Sequence, residues 1–477
     1  MPFHNIQDPT LVRALIHLNE LRQGTALEPN GRLLDQAGLK LRSDSSLYQN
    51  GELILNEFSP IILDIVRSDS TTRDAKNASI QMLDSILDHF TFDQILSKFN
   101  MNLLIEGLST DKSELRILIT QIISKARPAD IVANTSIVVT LFRLLANEDS
   151  SIGLVNSIQQ CILILAANGE LVRRRILSDE VTNVLLQMKQ NSKVAPRLYD
   201  LIVELLPIIP DIPERLYLVT FDQFENDDDL LLNSLIISFY SNILQSAMVD
   251  ARMKPIVDSI SEQIDYITRV YIDKSFKTEL RSFFNLEPVI FLCKLSQIAP
   301  QKFASMDSKY HILDYAIDRY TGKDDDTSIY LLANVEPRFL ETKDSFLQGF
   351  ELKGKTTPIY NNLIKDQLLL ESKLPVTSSQ IAQLEVSDFL EVIRALSSTD
   401  FGIYKLVNTW SSLIVKLLSI TDITSPDVWQ AKLSILDSLY QARSSLGVWS
   451  PKIVDAFSLM KNGRALTSEA SVMDTTM

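Results

Sequence analysis

A phosphate-loop pattern is the clearest sign of chemistry in this sequence. Residues 349–356 read GFELKGKT and match G-x-x-x-x-G-K-T letter for letter. Proteins that use this pattern hold phosphates with backbone N–H groups between a buried strand and a helix start. Here residues 339–348 carry charges at helical spacing, and Phe350, Glu351 and Lys353 are bulky or charged. The sequence also lacks an apolar strand ending in Asp to hold magnesium. We interpret the match as a coincidence within a loop and expect no cofactor.

Other residues capable of catalysis or metal binding are scattered. The histidines have no second ligand at metal spacing, and no G-x-S-x-G or paired CxxC pattern occurs. Both cysteines lie in apolar helical runs, which predicts small core residues in a reducing compartment. These residues are His4, His17, His89, His311, Cys161 and Cys293. The sequence therefore predicts neither an enzyme nor a metal site.

Three consecutive arginines form the most distinctive local feature. Residues 170–177 read ELVRRRIL. Successive helical residues turn by about 100°, so the arginines span roughly 200° and cannot all meet one partner. We expect one to bond carboxylates or helix-end carbonyls of a neighbouring repeat, while the others can reach the concave surface. The triplet is too short and isolated to predict a nucleic-acid patch.

These side chains lie in a repeated two-helix pattern. Leu115 and Ile119 recur 39 positions later as Leu154 and Ile158, and the helices that follow repeat at 40 positions. A period near 40 residues is typical of HEAT or armadillo arrays, whose units bury their apolar faces only by stacking. We predict an all-α fold: a curved α-solenoid of roughly eleven two-helix repeats. Residues 1–462 would form a single continuous domain, followed by a disordered tail at 463–477.

Charge and hydropathy narrow the classes of partner. The net charge is −14, from 60 acidic and 46 basic residues. Nucleic-acid binding depends on neutralising phosphates, so we expect no direct nucleic-acid partner. We expect no uncharged apolar run approaching the roughly 18 residues of a membrane span, no secretory signal at the start, and no membrane partner. The predicted location is the cytoplasm, with the nucleus as an alternative, and the predicted state is a monomer.

With these features in view, the chain resembles the family of the 26S proteasome non-ATPase regulatory subunit 5. Fungal members act as base-assembly chaperones and also carry the name DNA mismatch repair protein. The similarity is closest over Leu108–Leu206, around the arginine triplet and the segment Arg197–Leu201. A thinner match covers Gly447–Pro451 through Lys461–Gly463.

The resemblance implies HEAT-like repeats that bind the C-terminal domain of proteasomal ATPase subunit 1. Neighbouring ATPase subunit 2 and the largest non-ATPase base subunit would be held alongside it while the base assembles. Placement on second helices, rather than the resemblance, suggests the candidate partner-binding residues. They are Asn134, Arg143, Arg173, Arg174, Arg175 and Arg215.

Two alternatives remain open at this stage. The chain could be a general HEAT-repeat adaptor or scaffold, or a nucleotide-dependent repair factor that uses residues 349–356. Because the chain is acidic and has no base-reading module, we interpret any role in mismatch repair as indirect.

Overall fold

The structure is a computed structural model that describes residues 6, 8–44, 51–226, 229–323, 325–421 and 425–463. Throughout these ranges the regular structure is helical and no strand occurs. The predicted all-α class is therefore confirmed. The predicted disordered tail lies outside the described residues, apart from Gly463. By internal contacts the chain divides into unit 1, Met1–Gln263, and unit 2, Ile264–Met477. The prediction of one continuous domain stays a prediction.

The helices of unit 1 are mostly two to five turns long. They are α1 (Pro9–Gln23), α2 (Gly31–Ser43), α3 (Gly51–Arg67), α4 (Arg73–Leu87), α5 (Phe92–Leu96), α6 (Met101–Leu108), α7 (Ser113–Ser124), α8 (Ile137–Ala146), α9 (Ile152–Asn168), α10 (Glu170–Ile176), α11 (Asp179–Gln190), α12 (Ala195–Leu205), α13 (Glu214–Tyr217), α14 (Phe221–Asn226), α15 (Leu230–Val249) and α16 (Lys254–Ser259).

The unit boundary falls within α17 (Ser261–Ile272). Unit 2 continues with a similar alternation of long and short helices. They are α18 (Thr278–Phe283), α19 (Glu287–Ile298), α20 (Pro300–Tyr310), α21 (Ile312–Lys323), α22 (Asp326–Asn334), α23 (Asp344–Gln348), α24 (Thr357–Leu363), α25 (Ser378–Gln383), α26 (Val386–Ser397), α27 (Asp400–Asn408), α28 (Ser411–Ser419), α29 (Pro426–Gln441) and α30 (Ser450–Asn462).

Polar caps in the sequence set many of the helix ends. The Asp8 carboxylate accepts hydrogen bonds from the first backbone N–H groups of α1, at 2.8 and 3.1 Å. Thr91 and Gln94 form a reciprocal capping box at the start of α5. Gly24 ends α1 with φ at 72°, a left-handed conformation that suits glycine. Such caps satisfy backbone groups that a helix end leaves without partners.

Unit 1 is built from two layers of stacked helices. In the first layer, α2, α4, α7, α9, α12 and α15 pack successively against one another. In the second layer, α6, α8, α11 and α13 do the same. The residues that carried the sequence repeat, Leu115, Ile119, Leu154 and Ile158, are all buried. Each such side chain contributes roughly 1.5–3 kcal/mol through its burial.

Polar contacts between neighbouring repeats show the same period. The Arg143 guanidinium pairs with Glu180, 37 residues on, and the Gln159 amide donates to the carbonyl of Arg197, 38 residues on. In unit 2, the Gln297 amide donates to the carbonyl of Asn334, again 37 residues on. The period therefore continues beyond residue 190, where the apolar pattern of the sequence loosens.

Several elements differ from the sequence prediction. The sequence repeat places Leu171, Leu177, Val181 and Leu185 on one second helix, but the structure divides this segment into α10 and α11, because Ser178 adopts an extended conformation (φ −66°, ψ 152°). For residues 24–51 the sequence predicts a short helix within a loop-rich segment, and the structure has the 13-residue helix α2 there. Burial of Leu34, Ala37 and Leu41 accounts for the length of α2.

Helix α15 corrects the expectation that no uncharged run approaches the length of a membrane span. Its 20 residues carry no charge, and by length and composition it is the one helix in the described ranges that could cross a membrane. Polar side chains are also buried along it, namely Asn233, Ser234 and Ser241. A helix packed in a protein core passes the same test, and α15 packs against α12.

Arg197, at the start of α12, connects three helices. Its Nη1 donates to the carbonyls of Leu145 and Asn147 at 3.1 and 2.8 Å, and its Nη2 donates to that of Glu148 at 3.3 Å. Its own carbonyl accepts the hydrogen bond from Gln159 on α9. The guanidinium thereby satisfies carbonyls at the end of α8 that the helix leaves open.

We expect Arg197→Met to lower the free energy of unfolding by about 2 kcal/mol, because three charged hydrogen bonds between α12 and the end of α8 are lost. The matched control is Arg174→Met, since Arg174 is 71% exposed and pairs only with Glu170 in its own helix. That control should change stability by less than about 0.5 kcal/mol. Urea unfolding followed by circular dichroism measures both, and equal effects would contradict the assigned role of Arg197.

Candidate interaction surface

The six candidate partner-binding residues occupy different positions in unit 1. Arg143 is on α8, and residues 173–175 are on the short helix α10. Asn134 is exposed in the turn before α8, and Arg215 is exposed on α13. Asn134 therefore falls outside the second helices on which all six were expected, and residues 173–175 and Arg215 lie on short helices.

The three consecutive arginines point to three different partners. Arg173 donates to the carbonyl of Ala166, near the end of α9, at 2.9 Å. Arg174 forms an ion pair with Glu170, one turn earlier in α10. Arg175 donates to Glu180 at 2.7 Å. The expected divergence of the triplet is confirmed, whereas the expected bond to a neighbouring repeat is wrong, because all three partners lie within α9–α11 of the same repeat.

The structure brings Arg143 and Arg175 together through one carboxylate. Glu180, in the first turn of α11, accepts from Arg143 at 3.0 Å and from Arg175 at 2.7 Å. The side chain of Arg143 is nonetheless 64% exposed. Exposed ion pairs of this kind contribute little to stability, so the cluster remains able to exchange Glu180 for an external carboxylate.

A groove follows the exposed face of the first helical layer of unit 1. It consists of three adjoining concavities of about 450, 320 and 430 Å³, between α2, α4 and α7, between α7 and α9, and between α9, α12 and α15. Gln121 lines both the first and second concavities, and Gln160 lines both the second and third. We call this continuous surface the unit-1 groove.

The central part of the unit-1 groove is uncharged, and polar side chains are set within a mostly apolar surface. Its lining includes Thr120, Ser124, Asn156 and Ser157 between α7 and α9. The buried Oε1 atom of Gln121 has no hydrogen-bond partner within the protein. Amide and hydroxyl groups of this kind can bond the side chains of a docked helix without a large desolvation cost.

Negative charge concentrates at the α12 end of the groove. Asp200 and Glu204 are exposed, one turn apart on α12, beside Leu163, Tyr199 and Leu235. Partial burial raises the pKa of Asp200 above its usual value. Like charges at this spacing repel each other on a helix. A positively charged partner would therefore reduce the repulsion between the carboxylates of Asp200 and Glu204.

The six predicted residues and the groove lie on different helices. None of the six lines any of the three concavities. The placement of binding residues on second helices stays a prediction, and Asp200 and Glu204 of the groove were not among the six. In the sequence these two residues are recognisable as an acidic pair at i and i+4, directly after the segment Arg197–Tyr199.

The phosphate-loop match has the wrong local structure for nucleotide binding. Gly349 ends α23, and residues 354–356 form a single 3-10 turn before α24, with no strand before it. The Thr356 hydroxyl donates to the carbonyl of Glu351 at 2.8 Å and accepts from the backbone N–H of Lys353 at 2.8 Å. A Cβ atom on Gly354 would lie 2.9 Å from the carboxylate of Asp388. The negative charge of Asp388 would repel a phosphate group bound at this turn.

The two cysteines and the described acidic residues form no catalytic or metal-binding arrangement. Cys161 on α9 and Cys293 on α19 are buried, and burial raises the pKa of both thiols. Within the described ranges, no group of three His, Cys, Asp or Glu side chains is placed to hold a metal ion. The cysteines are core residues, as the sequence predicts.

Unit 2 contains a partly buried charged pair at the start of α22. Asp325 accepts hydrogen bonds from Arg319 at 2.7 Å and from the hydroxyls of Thr327 and Ser328 at 2.6 Å each. Burial alone would raise the pKa of Asp325, but these hydrogen bonds outweigh it and lower the pKa to about 2. Asp325 therefore both caps α22 and neutralises Arg319.

Comparison with known proteins supports this description of the fold. A chain of the solved complex of Kap95p with RanGDP superposes with a TM-score of 0.52 and 11% identity. The superposition covers 95% of this chain and 62% of that one. Stacked helix pairs at a 40-residue period, with an open groove along one layer, define an α-solenoid of the HEAT-repeat class.

Sequence profiles identify the family within this class. The profile of the DNA mismatch repair protein HSM3 N terminal domain matches residues 15–245, and that of its C terminal domain matches residues 253–477. The relative named DNA mismatch repair protein HSM3 from Debaryomyces hansenii is 22% identical over 97% of this chain and 96% of its own length. Its counterpart from Kluyveromyces lactis is 21% identical over 91% and 92%. The chain belongs to the HSM3 family, whose name denotes repair and not a catalysed reaction.

We expect Lys355→Ala to leave both folding and function unchanged, because the loop at residues 349–356 has no phosphate cradle. Isothermal titration of the wild-type protein with Mg-ATP should show no saturable binding. Loss of function in Lys355→Ala with an unchanged circular dichroism spectrum would contradict this and restore the nucleotide hypothesis.

We expect Asp325 to stabilise the protein in a pH-dependent manner. Because its pKa is about 2 when folded and ~3.9 when unfolded, its contribution is complete above about pH 4 and is lost as the pH falls through 2. The stability difference between wild type and Asp325→Asn should therefore shrink by about 2 kcal/mol between pH 5 and pH 2. Urea unfolding across this range measures it. A constant difference would show that the pair does not perturb the carboxyl group.

Proposed function

We propose that this protein is a non-enzymatic chaperone for assembly of the base of the proteasome 19S regulatory particle. It would bind the C-terminal domain of ATPase subunit 1 in the unit-1 groove. Membership of the HSM3 family, the resemblance centred on Leu108–Leu206 and the HEAT-repeat fold support this function. The observation that carries the proposed mode of binding is the continuous groove from α2 to α15.

The shape of the unit-1 groove suits a helical segment of a folded partner. Successive concavities of 320–450 Å³ follow one layer of helices, so a partner helix could contact several repeats at once. Stable complexes bury on the order of 1,600 Å² in total, so the partner would have to contact the whole groove and surface beyond it.

The charge of the groove specifies the chemistry of the partner surface. Its charged lining residues are Asp35, Asp84, Asp200, Glu204 and Arg42. Arg42 and Asp84 already have protein partners, Ser85 and Lys125 respectively. The acidic pair on α12 therefore favours a partner helix that presents Lys or Arg. Complementary charge of this kind raises association rates and excludes other partners.

The remaining parts of the proposal concern the wider assembly. ATPase subunit 2 and the largest non-ATPase base subunit would contact the complex beside ATPase subunit 1. The chaperone would act as a monomer in the cytoplasm, with the nucleus as an alternative, and would leave before the finished proteasome works. No cofactor takes part in this scheme.

The name of the relatives supports a second candidate function, in DNA mismatch repair. The net charge of −14 and the acidic groove oppose direct binding to DNA phosphates. A repair phenotype would then arise indirectly, through the supply of proteasomes. Tight binding of purified protein to heteroduplex DNA at physiological salt would contradict this interpretation.

The decisive experiment is binding of the purified chain to each of the six ATPase C-terminal domains separately, alongside a pull-down from cell extract. We expect selective capture of the domain from ATPase subunit 1 and absence of the chain from mature proteasomes. Capture of none of the six, with recovery of transport or scaffold factors instead, would favour the general HEAT-repeat adaptor.

We expect the double substitution Asp200→Lys and Glu204→Lys to weaken that binding at least about tenfold, because it reverses the charge facing the partner. The matched control is Asp211→Lys with Glu214→Lys, an equal charge change outside the groove. Surface plasmon resonance at two salt concentrations measures both. If only the control weakens binding, the interface lies instead beside Arg215, among the residues first predicted from the sequence.

A further inference from the structure

A small cavity in unit 2, here called the anion pocket, is lined by two arginines and a buried tyrosine. Its lining includes Tyr271, Arg281, Asn285, Arg319 and Asp325. Its volume of about 90 Å³ is well above the ~15 Å³ that one water molecule requires. The cavity is too small for a nucleotide, but it can hold one carboxylate or phosphate group.

Two buried polar atoms of this lining make no hydrogen bond of ordinary length and angle within the protein. They are Nη1 of Arg281 and the hydroxyl oxygen of Tyr271, which has only a weak contact with the Ser328 hydroxyl. The other terminal nitrogen of Arg281, Nη2, donates to the hydroxyl of Tyr315. Leaving a buried guanidinium N–H without an acceptor is costly, so each such group in a folded protein requires an explanation. A hydrogen-bond acceptor that enters the cavity would satisfy the free N–H group of Arg281.

Only one of the two arginines that line the pocket is neutralised by a carboxylate. Arg319 is neutralised by Asp325 at 2.7 Å, whereas Nη1 of Arg281 has no such acceptor. Burial raises the pKa of the Tyr271 hydroxyl, which therefore remains protonated and able to donate at neutral pH. The pocket thus offers one unmatched positive charge and two donors. This combination complements an oxyanion and disfavours a cation.

Aromatic packing holds these groups in place before a ligand arrives. The guanidinium carbons of Arg281 and Arg319 lie 5.9 and 5.5 Å from the centroid of the Tyr315 ring. Tyr271 packs edge-on against the same ring, with centroids 5.4 Å apart and planes at 84°. Because their rotamers are already restricted, little side-chain entropy is lost when a ligand binds.

We propose that the anion pocket binds a single oxyanionic group, a carboxylate or a phosphate, through Arg281 and Tyr271. The group accepts hydrogen bonds from Nη1 of Arg281 and from the Tyr271 hydroxyl. Phe283 and Leu286, which are 73% and 40% exposed, flank Asn285 at the pocket. An acidic side chain on an apolar protein segment therefore fits as well as a free phosphate ion. This site does not depend on the proposed chaperone function.

Calorimetric titration of the purified full chain with phosphate and, separately, with acetate tests the site, each against chloride at equal ionic strength. We expect saturable binding of at least one probe, weakened about tenfold or more in Arg281→Gln. Tyr271→Phe removes only the hydroxyl and should weaken binding less. The matched control is Arg338→Gln, an arginine of unit 2 that is 69% exposed, pairs with Glu336 and is absent from the pocket lining.

The two titrations distinguish the source of the oxyanion. Tighter binding of acetate assigns the pocket to a carboxylate on a protein segment, and tighter binding of phosphate assigns it to a phosphate group. The proposal is overturned if neither probe saturates by about 50 mM, or if Arg281→Gln binds as tightly as wild type. If Arg281→Gln does not fold, Tyr271→Phe decides, and its unchanged affinity overturns the proposal.

Discussion

The structure depends on one constraint: no helix pair can bury its own apolar face. In unit 1, Leu115 and Leu154 are buried because α7 and α9 pack against each other, and the same relation continues through α12 and α15. Polar contacts then fix the register between neighbours, as Arg143 does with Glu180. The helices of the first layer use one face for stacking. Their opposite face stays exposed, and the unit-1 groove lies along it.

The unit-1 groove and the arginine cluster show how two kinds of polar surface arise from stacking. The arginines of α10 are largely committed to carbonyls and carboxylates of their own unit. Asp200 and Glu204, by contrast, have no role in register and remain exposed at the groove. Charge that does not stabilise the fold is the more informative guide to a partner, because folding alone does not explain its position.

The fold class followed from the sequence, whereas the unit-1 groove did not. Periodic leucine and isoleucine positions predict stacked helices because burial is set by spacing, and the divergence of residues 173–175 follows from helical geometry. The break between α10 and α11 depends on the extended backbone of Ser178, and the extent of α2 depends on tertiary burial. The groove depends on which helices lie side by side in the first layer, and the anion pocket joins Tyr271, Arg281 and Arg319 across separate helices. Spacing along the chain encodes neither relation.

The short reach of the contacts between repeats also bears on how the chain folds. Links such as Arg197 to the end of α8 join residues only 49–52 positions apart, and most others join residues about 40 apart. Low contact order of this kind is associated with rapid folding, because little loop-closure entropy is lost before contacts form. Within unit 1, each helix pair could dock on the preceding one while later pairs are still being synthesised. An assembly chaperone built in this way would be ready to bind soon after translation ends.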